Sequence, residues 1–159
     1  DNFVMGYAMG ANVALGVSIL RPDLFSACVD ISGGIGMTLQ TSTMVEELAG
    51  DHFRRYMPSY LVAFGEAENF PGSAYDLYPV AKRKKESGEA LADFTIICGS
   101  KEFIRKRVED DVKQLQELGY PVQYLCLEGY DHDWRTWNEY LVRVLDEILP
   151  LKRCYLYDE

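Results

Sequence analysis

Phe3-Val4-Met5-Gly6-Tyr7-Ala8-Met9-Gly10-Ala11-Asn12-Val13-Ala14-Leu15-Gly16 decides the fold, because its pattern changes from strand to helix across one tight turn. Phe3-Val4-Met5 is a short apolar run ending at Gly6. Gly10 to Leu20 reads as a helix of small residues in which Ala11, Ala14 and Gly16 permit close packing on a sheet. Pro22 and Asp23 end this helix, and Ala27 to Ile31 reads as a second buried strand that closes on Ser32-Gly33-Gly34. Strand, helix and strand in that order imply a parallel pair with a right-handed crossover.

Downstream the same alternation resumes after an interruption. From Ile35 to about Tyr75 the pattern weakens, broken by Gly36, Gly50, Gly65, Pro58 and Pro71, and this stretch reads as an insert carrying short helices. Inserts at the carboxyl ends of parallel strands form lids or substrate walls, or simply packing segments. The pattern predicts an exposed helix over Asp76 to Leu91 and a third strand over Thr95 to Cys98, closed by Gly99-Ser100. Arg105 to Leu118 is amphipathic, with Val108, Val112, Leu115 and Leu118 on one side and Gly119 placed to end it. Pro121 opens a fourth strand, Val122 to Leu127, and Trp134 to Leu149 carries apolar residues at helical spacing up to Pro150. The reading is one α/β domain over 1–150, with an insert over about 35–75 and a loose tail over 151–159.

With 159 residues, 48% of them hydrophobic, the chain can build one core and hardly two. The formal charge is −9, and no cluster of basic residues forms a face that could track a phosphate backbone, so nucleic acid is not an expected partner. Lys82-Arg83-Lys84-Lys85 is followed closely by Glu86 and Glu89, the pattern of a solvated helix face. No apolar stretch approaches the roughly 20 residues of a membrane span, and no membrane association is expected. Cys28, Cys98, Cys126 and Cys154 form no C-x-x-C pair, and no metal or cofactor is expected. The first three of these cysteines sit in apolar strand-like runs where a buried thiol is the plain reading, which favours a reducing, cytoplasmic compartment. The chain starts at Asp1 with neither an initiator methionine nor a signal peptide, so a segment upstream is expected.

Gly6-Tyr7-Ala8-Met9-Gly10 has the spacing of G-x-S-x-G, the nucleophile elbow, with alanine at its centre. An elbow residue sits in a strained turn above the sheet, and its flanking glycines let strand and helix approach closely. A lone G-x-x-x-G also packs apolar helices; its place between a strand and a helix gives it weight here. An acidic residue follows the third strand and a histidine the fourth, the chain order nucleophile, acid, histidine. His132 lies in a glycine-containing loop where a base can project over the strand ends, whereas His52 has no partner pattern and reads as a surface residue.

Taken together, Gly6 to Gly10 with Ala14-Leu15, Arg21-Pro22-Asp23-Leu24-Phe25, Ile31-Ser32-Gly33, Asp76-Leu77-Tyr78, Cys98-Gly99 and Gly129-x-x-His132-Asp133-Trp134-x-x-Trp137 resemble one esterase family of α/β-hydrolases. It includes tributyrin esterases, S-formylglutathione hydrolase (esterase D) and feruloyl or acetyl-xylan esterases. The match is poorest from Ile35 to Tyr75, and tributyrin-esterase-like members resemble the chain best through the H-D-W-x-x-W ending. The resemblance implies the carboxy-terminal part of an α/β-hydrolase fold, with parallel strands flanked by helices. By position it puts Ala8 at the nucleophile site, Glu102 at the acid site, His132 at the base site and the Met9 backbone N–H in the oxyanion hole.

Two of the three triad positions depart from the family, alanine replacing the serine and glutamate standing where aspartate is usual, and Ala11 after Gly10 departs from the usual double glycine. Asp110 and Asp111 are fallback acids a turn or more down the next helix. Asp131 and Asp133, beside the histidine, read as loop-capping or solvent-facing residues. A second oxyanion donor is expected from a loop upstream of Asp1, and Tyr7 and Trp134 are candidate walls of an acyl or alcohol pocket.

The implied activity is hydrolysis of a carboxylic ester, short-acyl or carbohydrate-linked, by a serine mechanism. Alanine has no attacking oxygen, so the chain as given is inactive on this reading. The alternative is a naturally non-catalytic esterase-like module that binds a ligand or a partner. The expected partner is a small-molecule ester; an apolar first strand left at a sheet edge also invites homo-oligomerisation or strand-edge association.

Overall fold

The four apolar runs read as strands become strands, the first continuing through Gly6 to Tyr7. The computed structural model describes residues 2–33, 62, 65 and 69–151. Within these residues β1 (Phe3–Tyr7), β2 (Ala27–Ile31), β3 (Asp93–Gly99) and β4 (Val122–Leu127) form one sheet in the order β1-β2-β3-β4. Every neighbouring pair is parallel, with Phe3 beside Ala27, Ala27 beside Asp93 and Phe94 beside Val122. The α/β architecture read from the alternating pattern is the observed one.

Side chains alternate across the sheet, and each face has its own core. Cys28, Phe94, Ile96 and Cys98 pack with α1 (Met9–Leu20), α2 (Leu77–Glu86) and α3 (Arg105–Glu117) through Ala14, Leu15, Ile19, Ala81, Val108, Val112 and Leu115. On the other face Val29, Ile31 and Ile97 meet Tyr140 of α4 (Trp134–Arg143), together with Val144 and Leu149. β3 is buried from Phe94 to Gly99, as a strand between two neighbours must be. β1 is half-buried along its length and, among the described residues, pairs with β2 alone.

Several details differ from the sequence expectation. The second helix stops at Glu86, short of Leu91, because Gly88 takes a φ of 73° and the Ser87 Oγ turns back onto the Lys84 carbonyl. The last helix does not run on as α-helix to Leu149: Val144–Ile148 is a π-helical turn, closed by a Leu149 N–H bond to the Val144 carbonyl. Cys126 is exposed, against the expectation of a buried thiol, because β4 lies at the edge of the described sheet; Cys28 and Cys98 are buried. Gly34 and most of the insert (35–61, 63–64 and 66–68), with His52, lie outside the described residues, as does the tail from 152 to 159.

Candidate active site

Ala8, Met9, Glu102 and His132 gather where the strands end, and backbone bonds continue the ladder past those ends. The Ala8 N–H donates to the Ile31 carbonyl at 2.9 Å, Ser32 to Ile97 at 2.8 Å, and Ser100 to Leu127 at 2.9 Å. One edge of the sheet therefore carries the turns after β1, β2, β3 and β4.

In the first of these turns Ala8 has φ 48° and ψ −121°, a conformation that costs a non-glycine residue about 1–3 kcal/mol. Gly6 explains how so sharp a turn closes: a Cβ there would lie 2.2 Å from the Gly10 carbonyl oxygen. Gly10 itself has open space around its Cα, so only the first glycine of the motif is demanded by close approach. Met9 and Gly10 begin α1, and first-turn N–H groups have no intrahelical acceptor. The Met9 N–H is thus the donor next to the elbow residue, and its side chain is exposed.

Glu102 and His132 meet from two other turns. The His132 Nδ1 lies 2.7 Å from Glu102 Oε2, while Glu102 Oε1 accepts from the Gly99 N–H and from the Ser32 hydroxyl, each at 2.7 Å. The Glu102 side chain is 0% exposed and that of His132 21%, so the imidazole reaches solvent and its acid partner does not. A buried carboxylate is tolerable when its oxygens are engaged, as both are here. Gly99 lets the two loops come together, since a Cβ there would stand 2.3 Å from the Tyr130 carbonyl oxygen. Lys101 N–H donates to that same carbonyl at 2.9 Å, and Gly129 N–H to Ser100 Oγ at 2.9 Å. Asp131 accepts from the His132 backbone N–H and Asp133 caps α4 by accepting from Thr136 N–H, both loop-holding roles. Asp110 and Asp111 stay on α3, and the histidine's carboxylate is Glu102.

Trp137 joins the two halves of the site. Its ring stacks on Tyr7, the residue before Ala8, at 5.9 Å and meets His132 edge-on at 4.9 Å. Its Nε1 donates to Ser32 Oγ at 3.2 Å. Phe103 lies 5.0 Å from His132, and the exposed Trp134 packs edge-on against Trp137, which gives the imidazole an aromatic surround. Sequence reading missed Ser32, Phe103 and Asp30, although the Ser32-Gly33 turn at a strand end was the available signal for the first. Asp30 is fully buried on β2, where its carboxylate accepts from the Gly33 N–H at 2.9 Å. Burial pushes this carboxyl up to about 7; the Gly33 bond opposes the rise and the Glu102 charge adds to it. Among the described residues no group of His, Cys, Asp and Glu could hold a metal ion, and no helix is long and apolar enough to cross a membrane.

No protein-family model and no curated protein matches the sequence. Solved structures do match the fold. S-formylglutathione hydrolase from Staphylococcus aureus superposes with a TM-score of 0.70 at 19% identity, over 93% of this chain and 54% of that one. The fluorophosphonate-binding serine hydrolase F of Staphylococcus aureus gives 0.74 at 20% identity over the same shares. A ferulic acid esterase gives 0.59 at 19%, over 89% of this chain and 48% of that one. This chain spans about half the length of these structures, and it has the α/β-hydrolase fold that they share.

Proposed function

We propose that this chain, with the α/β-hydrolase fold of known esterases, carries the site of a serine carboxylic-ester hydrolase whose nucleophile position is occupied by Ala8. The observation that carries this reading is the buried Glu102 carboxylate held on His132 at the same sheet edge as the strained residue 8. With Nδ1 engaged by Glu102, the second ring nitrogen of His132 is the one left to serve as base. A hydroxyl at residue 8 would give its proton to that nitrogen as its oxygen attacks the ester carbonyl. The developing oxyanion would be met by the Met9 N–H, and the proton would pass to the leaving alcohol. Water then repeats the sequence on the acyl-enzyme. Alanine supplies no oxygen, so none of these steps starts in the chain as it stands.

The substrate of this reading is a short-acyl or carbohydrate-linked ester of the tributyrin-esterase type, beside the aromatic surround of Trp134, Trp137 and Phe103. Free buried thiols at Cys28 and Cys98 support a reducing, cytoplasmic setting. The half-buried edge of β1 supports association between copies through strand edges. A second reading, a non-catalytic module that keeps the pocket for binding, is favoured by Ala8 itself and by glutamate in the acid position.

Hydrolysis of a short p-nitrophenyl ester separates the two. The chain as it stands gives no turnover, Ala8→Ser gives a burst followed by turnover, and His132→Ala added to it abolishes both. A folded Ala8→Ser chain that binds the ester without cleaving it favours the binding module.

A further inference from the structure

We propose that Ser32 is a positioning residue, gripped by the Trp137 indole and holding the Glu102 carboxylate so that Oε2 is presented to His132. The inference rests on the hydrolase reading for its purpose, and on hydrogen-bond directions for its content. An indole N–H can only donate, so the contact of 3.2 Å from Trp137 Nε1 makes the Ser32 oxygen an acceptor there. The single hydroxyl proton is then free for Glu102 Oε1, at 2.7 Å. The Gly99 N–H meets the same oxygen at 2.7 Å, so Oε1 has two donors and Oε2 alone faces the imidazole.

Glutamate in the acid position explains why such a clamp is useful. Its side chain has one more rotatable bond than aspartate, and that freedom has to be removed if the carboxylate is to keep one orientation. Gly99 fixes one oxygen from the backbone, and Ser32 fixes it again from the neighbouring strand, across β2 and β3. Ser32 is fully buried and holds a φ of 58°, a left-handed conformation that serine rarely adopts, while its N–H stays bonded to Ile97. The turn thus keeps an unfavourable backbone and delivers the hydroxyl to Glu102. Trp137 completes the arrangement: the ring whose N–H grips Ser32 also bears edge-on against His132 and stacks on Tyr7. One indole therefore touches the base, the hydroxyl that holds the acid and the residue before the elbow.

The test has two arms. In the chain as it stands, proton NMR follows the His132 Nδ1–H resonance, which needs no turnover. It is expected to be sharp and slowly exchanging in the parent, and broadened or lost in Ser32→Ala. Trp137→Phe, which keeps an aromatic ring but drops the donor, is expected to show a change of the same kind. Should Ser32→Ala fail to fold, Ser32→Gly replaces it, since glycine relieves the backbone at φ 58° while still removing the hydroxyl. An unchanged Nδ1–H resonance in a folded Ser32 variant overturns the proposal, whatever the chain's activity.

In the Ala8→Ser background, Ser32→Ala is expected to lower kcat about tenfold to a hundredfold with KM little changed, as loss of a hydrogen bond to a charged group implies. That effect is expected to vanish once Glu102→Gln is present, because the hydroxyl acts only through the carboxylate. Additive losses in the double variant overturn the positioning role. If Ala8→Ser shows no activity at all, the hydrolase reading fails by itself and the NMR arm still decides on Ser32.

Discussion

The turn after β1 and the paired loops after β3 and β4 hold their geometry by different means. At the elbow the shape lies in the backbone: Gly6 admits the Gly10 carbonyl, Ala8 takes φ 48°, and its N–H bonds to Ile31. The side chain at residue 8 is a bare methyl and contributes nothing to that shape. At the acid–histidine end the backbone approach of Gly99 to Tyr130 is joined by a side-chain network, through the contacts of Glu102 with the Ser32 hydroxyl, the Gly99 N–H and His132. A strained backbone turn that its neighbours enforce does not depend on the side chain it carries. A side-chain network survives only while its members keep their chemistry.

The largest effect expected from this contrast is on stability. Gly6→Ala forces a Cβ to 2.2 Å from a backbone oxygen that cannot rotate away, and is expected to cost on the order of 3 kcal/mol or more, read as a lowered urea midpoint. A variant as stable as the parent would mean that strand and helix are not in close contact there.

Asp30→Asn should act with a definite dependence on pH. The Asp30 carboxyl is raised in the folded chain to about 7, so the folded state holds a proton that the unfolded state has released. This contribution is fully present below the usual carboxylate range, is lost as pH rises toward about 7, and is flat above that. The asparagine oxygen can still accept from Gly33, so the variant is expected to match the parent near pH 4. At pH 8 it is expected to exceed it by on the order of a few kcal/mol in urea unfolding. A stability difference that does not change with pH would contradict the raised carboxyl.

The smallest effect belongs to the other glycine of the motif. Gly10→Ala meets nothing within 4 Å and removes a flexible residue from the first turn of α1. It is expected to leave the unfolding midpoint unchanged or to raise stability by at most about 1 kcal/mol. A marked loss would show that both glycines, and not Gly6 alone, are needed for the turn.

These effects also mark where the sequence was readable. β2 and β4 stand where the apolar runs placed them, because serine, glycine and proline bound both. Chain order called for an acid after β3 and a histidine after β4, since parallel strands deliver their ends to one edge, and the family resemblance singled out Glu102 over Asp110 and Asp111 as the partner of His132. Asp30 and Ser32 were not, because their roles depend on which face of β2 meets which loop and on the direction of each hydrogen bond. The exposure of Cys126 escaped for a related reason: apolar neighbours in sequence say nothing about whether a strand lies at an edge. The shortened α2 and the π turn after α4 reflect local competition, from Gly88 and from packing at Val144, that helical spacing does not encode.

Whether residue 8 stands where a nucleophile would be activated by His132 is most directly tested by intact-mass spectrometry after exposure to a fluorophosphonate. A serine oxygen at residue 8 would displace fluoride at phosphorus as its proton passes to the imidazole. The parent chain is expected to carry no adduct and each Ala8→Ser chain one adduct, located at residue 8. Labelling is expected to slow by about a thousandfold or more when His132→Ala is added. A folded Ala8→Ser chain that remains unlabelled, or one labelled equally fast without His132, would mean that His132 does not activate residue 8.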